Sequence, residues 1–284
     1  MGGIFWLASY PKSGNTWFRT FLQNLASNED TPAHINKLNT GSIASSRMWI
    51  DDVIGFDTSD LRQDEIESLR PHVYRWMCRG DGVTYHKIHD AYISTAEGHP
   101  LVDDVATLGA LYIVRNPLDV APSYASHRNC SIDDAISFMG DPEHALARSR
   151  KALPEQLLQF VGTWSQHVRS WVDAEGLNVK VIRYEDMHAT PERTFGSAAD
   201  FLGLEPDTGR RRRAIEFSRF DVVAAQEARS GFRERPPHAE RFFRKGVTGD
   251  WRSSLTDAQV ARIIADHGDV MSRFGYLDAE MQPV

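Results

Sequence analysis

Cysteine, long apolar runs and excess positive charge are all scarce in this sequence. Cys78 and Cys130 are the only cysteines among 284 residues, which excludes a disulfide framework and is typical of a reducing compartment. No stretch approaches the roughly 18 apolar residues of a membrane helix, and the N-terminus lacks a signal-peptide pattern. The formal net charge of −7 argues against general binding to nucleic acid or anionic membranes. We therefore expect a cytoplasmic protein whose partners include neither nucleic acid nor a membrane.

What the sequence does contain is an alternation of strand and helix patterns. Short apolar runs predict buried strands at residues 4–9, 83–88, 110–114 and 179–183. Apolar residues at three- and four-residue spacing predict helices at 16–25, 61–79, 117–128, 154–174, 191–202 and 256–274. This order predicts an α/β fold with a central, mainly parallel sheet flanked by helices. We expect a single domain over residues 1–284, in which segments 28–60 and 220–247 are substrate-facing loops or plain surface loops.

In an acidic chain an anionic ligand has to be met by a local basic cluster, and the first strand leads into such a segment. Ligands of open parallel sheets bind beyond the carboxyl ends of the strands, where this chain reads Tyr10-Pro11-Lys12-Ser13-Gly14-Asn15-Thr16-Trp17. Gly14 lets backbone N–H groups approach an anion, and the helix that follows presents its positive dipole end. Lys12 precedes the glycine, so this is not a Walker A loop. The alternative is an ordinary turn with Lys12 in solvent. Further donors come from Ser13, Asn15 and Thr16.

Lys87 and His89 follow the second strand. Side chains two residues apart share a face of a strand, so a cation is predicted beside a titratable imidazole. Such a histidine is suited to take a proton from a hydroxyl group near neutral pH. The alternative is a histidine with only a structural role.

The remaining strand ends and a late turn also carry polar groups. Arg115 follows the third strand and matches a phosphate group bidentately, with Ser123 two helical turns further on; the alternative is an ion pair with Asp119. Tyr184, after the fourth strand, either contacts a purine or belongs to the core. The turn Arg244-Lys245-Gly246 is able to wrap an anion, or it is simply solvated surface charge.

Together these segments resemble the PAPS-dependent sulfotransferase family, of the cytosolic and bacterial small-molecule type. Residues 10–17 resemble the family's Y-P-K-[SA]-G-x-T-W loop, and residues 115–123 resemble R-N-P-x-D-V-x-x-S. Residues 244–251 resemble R-K-G-x-x-G-D-W, residues 87–89 resemble K-T-H, and residues 184–187 resemble Y-E-D-M. The five motifs occur in the family's order and span nearly the whole chain.

The resemblance implies the sulfotransferase fold, with a P-loop-like sheet, and transfer of a sulfuryl group from 3′-phosphoadenosine 5′-phosphosulfate (PAPS). The acceptor is a hydroxyl of a small molecule or natural product, the nucleotide product is 3′,5′-ADP (PAP), and no metal is needed. In this reading His89 is the general base, with Lys12 and Lys87 as further catalytic groups. The 5′ end is held by Lys12, Ser13, Gly14, Asn15 and Thr16, the adenine by Trp17 and Tyr184, and the 3′-phosphate by Arg115, Ser123, Arg244, Lys245 and Gly246.

The sequence departs from the family's pattern at several positions. Asn15 stands where many animal enzymes have threonine, and this makes the chain similar to bacterial glycopeptide sulfotransferases. Ile88 replaces the threonine of K-T-H, on the face of the strand opposite Lys87 and His89. The family's short dimerisation sequence is poorly kept after the last motif, so dimerisation in that mode is not expected. The chain differs from that dimerisation sequence at three positions, with Arg252 in place of lysine, Asp257 in place of valine and Ala261 in place of glutamate.

Two other functions compete with this reading. A P-loop-like nucleotide-dependent kinase needs a magnesium-binding Ser or Thr after a Gly-Lys pair, which is missing here. A non-catalytic nucleotide-binding protein keeps the anion site but has no need of His89. The acceptor itself is not specified by any motif, and the aromatic candidates for its pocket are Trp49, Trp76, Phe217, Phe220 and Phe232.

Overall fold

The computed structural model describes residues 2–39, 43–149, 152–204 and 206–284. The chain folds into two units. The first comprises residues 1–10, 41–112 and 141–181, and the second comprises residues 11–40, 113–140 and 182–284. Residues 1, 40–42, 150–151 and 205, which the predicted domain and the first predicted loop include, lie outside the described residues.

The strands confirm the predicted fold class, an α/β fold with a central parallel sheet flanked by helices. They are β1 (Gly3–Ser9), β2 (Val83–Ile88), β3 (Thr107–Val114), β4 (Ala145–Leu146), β5 (Gln159–Phe160) and β6 (Val179–Arg183). The order of the main sheet is β2-β1-β3-β6, and β4 pairs with β5 in a second, two-stranded sheet. All residues of β1 are buried, as its unbroken apolar run predicts. β1 and β2 are parallel, with Leu7 opposite Lys87 and Ala8 opposite Ile88.

Several helices begin at a residue whose side chain caps them. Asn116 accepts from the amide of Leu118 at the start of the helix whose first residue is Pro117, and Ser131 and Thr256 form capping boxes. The bounds are α1 (Asn15–Ser27), α2 (Arg47–Ile54), α3 (Gln63–Met77), α4 (Pro117–Arg128), α5 (Ile132–Met139), α6 (Trp164–Val172), α7 (Tyr184–Ala189), α8 (Pro191–Phe201), α9 (Thr208–Phe217), α10 (Phe220–Ser230), α11 (Trp251–Ser254) and α12 (Asp257–Arg273). None of the helices in the described parts of the chain combines the length and the apolar character needed to cross a membrane.

The predicted helix at 154–174 is wrong over its first half. Within this range only α6 is helical. It begins after Thr163, whose side chain caps it by accepting a hydrogen bond from the amide of Gln166. Upstream, Gln159 and Phe160 pair with β4 instead of extending the helix, and Gly162 has a left-handed backbone (φ 63°). Long-range strand pairing has overridden a local helical pattern here.

The two segments predicted as loops contain helices of their own. Segment 28–60 holds α2, and segment 220–247 holds α10. Segment 220–247 is also anchored by a cluster of buried apolar side chains, Ile35, Val223, Phe232 and Phe243. Within the second unit the carboxylate of Glu227 accepts from the amides of Phe242 (2.7 Å) and Phe243 (2.9 Å). These contacts fix the chain just before the predicted anion-binding turn.

A buried ion pair connects α3 to the segment that follows β2. Arg70 of α3 donates to both carboxylate oxygens of Asp90, at 2.8 and 2.9 Å, and the side chains are 1% and 2% exposed. Nε of Arg70 donates to the hydroxyl of Tyr74 (2.9 Å), which donates to the carbonyl of Ala44 (3.0 Å). Since Asp90 directly follows His89, this network fixes the backbone next to the candidate base.

We predict that Asp90→Asn lowers the free energy of unfolding by about 3–5 kcal/mol, because it leaves the buried Arg70 charge without a counter-charge. Asp64→Asn is the matched control, since Asp64 pairs with Arg62 in solvent (54% and 72% exposed) and such pairs contribute little. Urea unfolding followed by circular dichroism measures both. Equal and small losses in the two variants would contradict the prediction.

Candidate functional site

The predicted site residues fall into two groups. Lys87 and His89 belong to the first unit, and all the predicted nucleotide-binding residues belong to the second. Of the described residues, no group of three or more His, Cys, Asp or Glu side chains is arranged to hold a metal ion. Each group of site residues has its own geometry.

The loop between β1 and α1 has the shape of an anion-binding turn. Lys12 and Gly14 both have left-handed backbones, with φ of 68° and 98°, and for a lysine this conformation costs about 1–2 kcal/mol. Successive left-handed and right-handed residues turn their N–H groups to one side, which favours an anion. α1 has no acidic residue in its first turn and no side-chain cap, so the positive end of its dipole is not compensated locally.

Gly14 is required here for a second reason, its closeness to Tyr184. A Cβ atom on Gly14 would lie 2.5 Å from Cδ2 of the tyrosine. Any side chain at this position must therefore displace the ring as well as strain the backbone. Tyr184 is 5% exposed, so its ring forms a fixed wall next to the loop.

Arg115 directly follows β3. It links the opening loop (residues 10–17) to the late basic turn (residues 244–251). Nη1 donates to the carbonyl of Lys12 (2.9 Å) and Nη2 to that of Val247 (3.2 Å), while the guanidinium carbon lies 4.2 Å from the centroid of the Tyr184 ring. The alternative ion pair with Asp119 is not formed. Asp119 instead accepts from two backbone amides, those of Gly249 (2.7 Å) and Trp251 (3.0 Å).

The buried polar atoms of the second unit that have no hydrogen-bond partner among the described residues include four on or next to the loop between β1 and α1. These four are Oγ of Ser13, Nε1 of Trp17, Nε of Arg115 and Nε2 of His188. A buried unsatisfied donor or acceptor costs about 1–3 kcal/mol, and native structures keep few of them. Several such atoms on one loop and its neighbours indicate that a polar ligand completes their hydrogen bonds.

His188 is a member of this group that the sequence analysis missed. Its ring centroid lies 4.5 Å from that of Trp17 and 4.9 Å from that of Tyr184. Burial and the nearby charge of Arg115 lower the pKa of His188 to about 4, so the imidazole is neutral near pH 7. The available signal was its position four residues after Tyr184, on the same face of α7.

Glu185 belongs to the segment that resembles Y-E-D-M, but the sequence alone indicated no role for it. Its carboxylate accepts from the amide of Asn116 (2.9 Å) and from the hydroxyl of Tyr276 (2.9 Å). Burial raises the pKa of Glu185. Because Asn116 follows Arg115 directly, Glu185 fixes the backbone from which the guanidinium extends.

The late basic turn is present, but its cations are paired within the chain. Arg244 and Lys245 both contact the carboxylate of Asp250 and remain exposed. Gly246 has a left-handed backbone and packs so closely on Phe220 that a Cβ atom would lie 2.0 Å from the ring. The role of this turn in holding a 3′-phosphate therefore stays a prediction, as does that of Ser123, which is half-buried on α4.

The ammonium of Lys12 lies over the ring of Phe242, 4.3 Å from its centroid. This cation–π contact joins the loop to the segment that leads into the late basic turn. Of the aromatic residues considered for an acceptor pocket, Phe232 belongs to the core cluster, and Trp49 stacks on His86 with a centroid distance of 4.8 Å.

In the first unit, His89 directly follows β2. Nδ1 of His89 lies 2.8 Å from the carbonyl oxygen of Ser9. A carbonyl oxygen only accepts, so Nδ1 carries the proton and the lone pair of the neutral ring is at Nε2. Lys87 and Tyr85 are half-buried while His86 and Ile88 are buried, the alternation expected of a strand. The geometry therefore gives His89 the tautomer of a proton acceptor.

Comparisons with known proteins agree on one family. A model described as the sulfotransferase domain matches residues 4–275. Flavonol 3-sulfotransferase of Flaveria bidentis is 24% identical over 272 residues, which cover 90% of this chain and 78% of that protein.

Two solved structures show the same fold at low identity. A mouse sulfotransferase complexed with PAP has a TM-score of 0.59 and 19% identity, over 95% of this chain and 85% of that chain. A retinol dehydratase in a complex with retinol and PAP has a TM-score of 0.62 and 16% identity, over 94% of this chain and 81% of that chain.

We predict that Gly14→Ala weakens binding of PAP at least about tenfold, or 1.4 kcal/mol, because the new methyl group displaces Tyr184 and strains the loop. Gly176→Ala is the matched control. Gly176 also has a positive φ (77°), but no atom lies within 4 Å of the position of its Cβ. Isothermal titration calorimetry with PAP measures both variants. Wild-type affinity in Gly14→Ala would mean that this loop does not hold the nucleotide.

Proposed function

The chain belongs to the sulfotransferase family, and on that premise we propose that it transfers a sulfuryl group from PAPS to a hydroxyl group of a small-molecule acceptor. The products are a sulfate ester and PAP. The single observation that carries the assignment of the donor is the group of four unsatisfied buried polar atoms around the left-handed loop. An acidic protein gains from such a group only if a polar, anionic ligand completes it.

The residues of the second unit are suited to hold both ends of this nucleotide. Residues 12–16 offer a charge, backbone amides and a helix N-terminus to the 5′-phosphosulfate. Arg115 offers a planar guanidinium to the 3′-phosphate, with Ser123, Arg244, Lys245 and Gly246 as further ligands. Trp17 and Tyr184 present aromatic surfaces for the adenine. Neutral His188 lies beside both rings and adds one more polar atom to this wall.

PAPS, when bound, supplies the sulfuryl group, and the chain supplies proton transfer and charge stabilisation. Nε2 of His89 accepts the proton of the acceptor hydroxyl, as its tautomer allows. The ammonium of Lys12 stabilises negative charge growing on the leaving phosphate oxygens, and that of Lys87 stabilises the sulfuryl or bridging oxygen. The family model matches residues 4–275, which supports the proposal of a single domain over residues 1–284.

A small-molecule hydroxyl is the acceptor class that the relatives support. One of them is named for a flavonol, and one solved structure holds retinol together with PAP. Both compounds carry a hydroxyl group on a largely apolar body. For this chain we propose a natural-product hydroxyl, which rests further on Asn15 in the opening loop.

We predict that His89→Ala lowers kcat by about 10²–10⁴-fold, the range of general acid–base catalysis, and leaves the affinity for PAP within about twofold. Release of PAP from PAPS in the presence of a phenol, a steroid alcohol, a sugar and a primary alcohol measures kcat, and calorimetry measures affinity. His99→Ala is the control, since His99 is exposed. Unchanged turnover in His89→Ala would contradict the role of the base.

EDTA separates the proposed reaction from that of a kinase. A kinase depends on magnesium to hold and neutralise its phosphates, whereas the proposed donor is held by side chains and amides alone. We predict that millimolar EDTA leaves the rate of PAP release unchanged. Loss of turnover that added magnesium restores would favour the kinase.

A further inference from the structure

The residues after β2 are fastened to α6 by side-chain hydrogen bonds to their backbone. Nε2 of His167 lies 3.1 Å from the carbonyl oxygen of His89, and Nε1 of Trp171 donates to the carbonyl of Asp90 at 3.0 Å. His167 and Trp171 are four residues apart and therefore lie on one face of the helix. Consecutive carbonyl groups of the segment that carries the candidate base are thus bound by one rigid element.

The orientation of the His167 ring is fixed at both nitrogens. The carbonyl of His89 only accepts, so Nε2 of His167 carries the proton. Nδ1 then accepts from the hydroxyl of Tyr112, at 2.9 Å. Burial lowers the pKa of His167 to about 4, so the ring stays neutral, with one donor and one acceptor, near neutral pH.

Burying a histidine in a protein core costs more free energy than burying an apolar side chain. Its polar atoms cost free energy unless each is paired, and an apolar residue of similar volume avoids that cost. His167 is fully buried, and its N–H is directed at the backbone of the residue that we assign as the base. This indicates a role beyond packing.

We propose that His167 is a positioning residue for the sulfuryl-transfer reaction. Its Nε2–H fixes the carbonyl of His89, while the carbonyl of Ser9 fixes Nδ1 of His89. Held at backbone and ring, His89 keeps Nε2 directed at the acceptor hydroxyl. This inference rests on the proposed function, since it requires His89 to act as the base.

The groups around His167 explain why it acts by position and not by charge. The aromatic ring of Tyr10 contacts it edge-on at 5.4 Å between centroids, and Tyr112 donates to it. Asp90, the buried carboxylate next to His89 in the sequence, is bound on both oxygens by Arg70. His167 therefore has no described carboxylate partner with which to exchange a proton.

The test is a double-mutant cycle on kcat for release of PAP from PAPS. His167→Leu removes the donor, and we expect kcat to fall by about 10²-fold, the loss typical of a misplacement near 1 Å, with the affinity for PAP unchanged within twofold. In the double variant His89→Ala/His167→Leu we expect no further loss below His89→Ala, because His167 acts through His89. A merely structural role predicts that the two losses multiply, and that result would overturn the proposal.

A conservative variant keeps the test decisive if His167→Leu does not fold. His167→Gln retains an N–H donor near the position of Nε2, and we expect it to recover most of kcat, while the shorter His167→Asn does not. Equal kcat in these two variants would overturn the proposal. Failure of the proposed function has a different signature: wild type then releases no PAP with any acceptor, or His89→Ala turns over like wild type.

Discussion

The candidate donor site depends on the contacts that the guanidinium of Arg115 makes with three separate segments of the chain. It donates to the carbonyls of Lys12 and Val247 and stacks on Tyr184, so a single side chain joins the opening loop, the late basic turn and the start of α7. Glu185 then fixes the backbone beside Arg115 through the amide of Asn116. In a chain with a net charge of −7, this arrangement concentrates positive charge where an anion is needed.

Backbone strain and an unsatisfied buried polar group occur in the same loop, between β1 and α1. This combination is typical of a ligand-binding site. Lys12 holds a left-handed backbone, and the neighbouring Ser13 has a buried hydroxyl without a partner among the described residues. Both features cost stability in the isolated protein. The proposed phosphosulfate would offset both, because it would supply acceptors for the amides of the loop and for the hydroxyl of Ser13. The first unit follows the opposite principle. Its polar groups around His89 are paired in advance, through Ser9, His167 and the ion pair of Arg70 with Asp90.

Much of this organisation could be predicted from the sequence where the signals are local. The bounds of α4 follow from Asn116-Pro117 at one end and from the left-handed Asn129 at the other, and the four strands of the main sheet follow from their apolar runs. The prediction failed at residues 154–163, where pairing between β4 and β5 is a long-range contact. The loop glycine, Lys12 and Arg115 were found because each follows a strand. Glu185 and His167 were missed because their partners, Asn116 and His89, are remote in sequence and only the fold brings them close.

The most direct test of the account is isothermal titration of the protein with PAP and with ATP, both in EDTA, for wild type and Arg115→Ala. If the second unit is a metal-free site for a 3′-phosphorylated nucleotide, wild type binds PAP about 10–100-fold more tightly than ATP. That is the range expected when one charge-assisted contact worth about 1.5–3 kcal/mol is present or absent, and Arg115→Ala removes the preference. Equal affinity for PAP and ATP in the wild-type protein would contradict the donor assignment and, with it, the role given to His89.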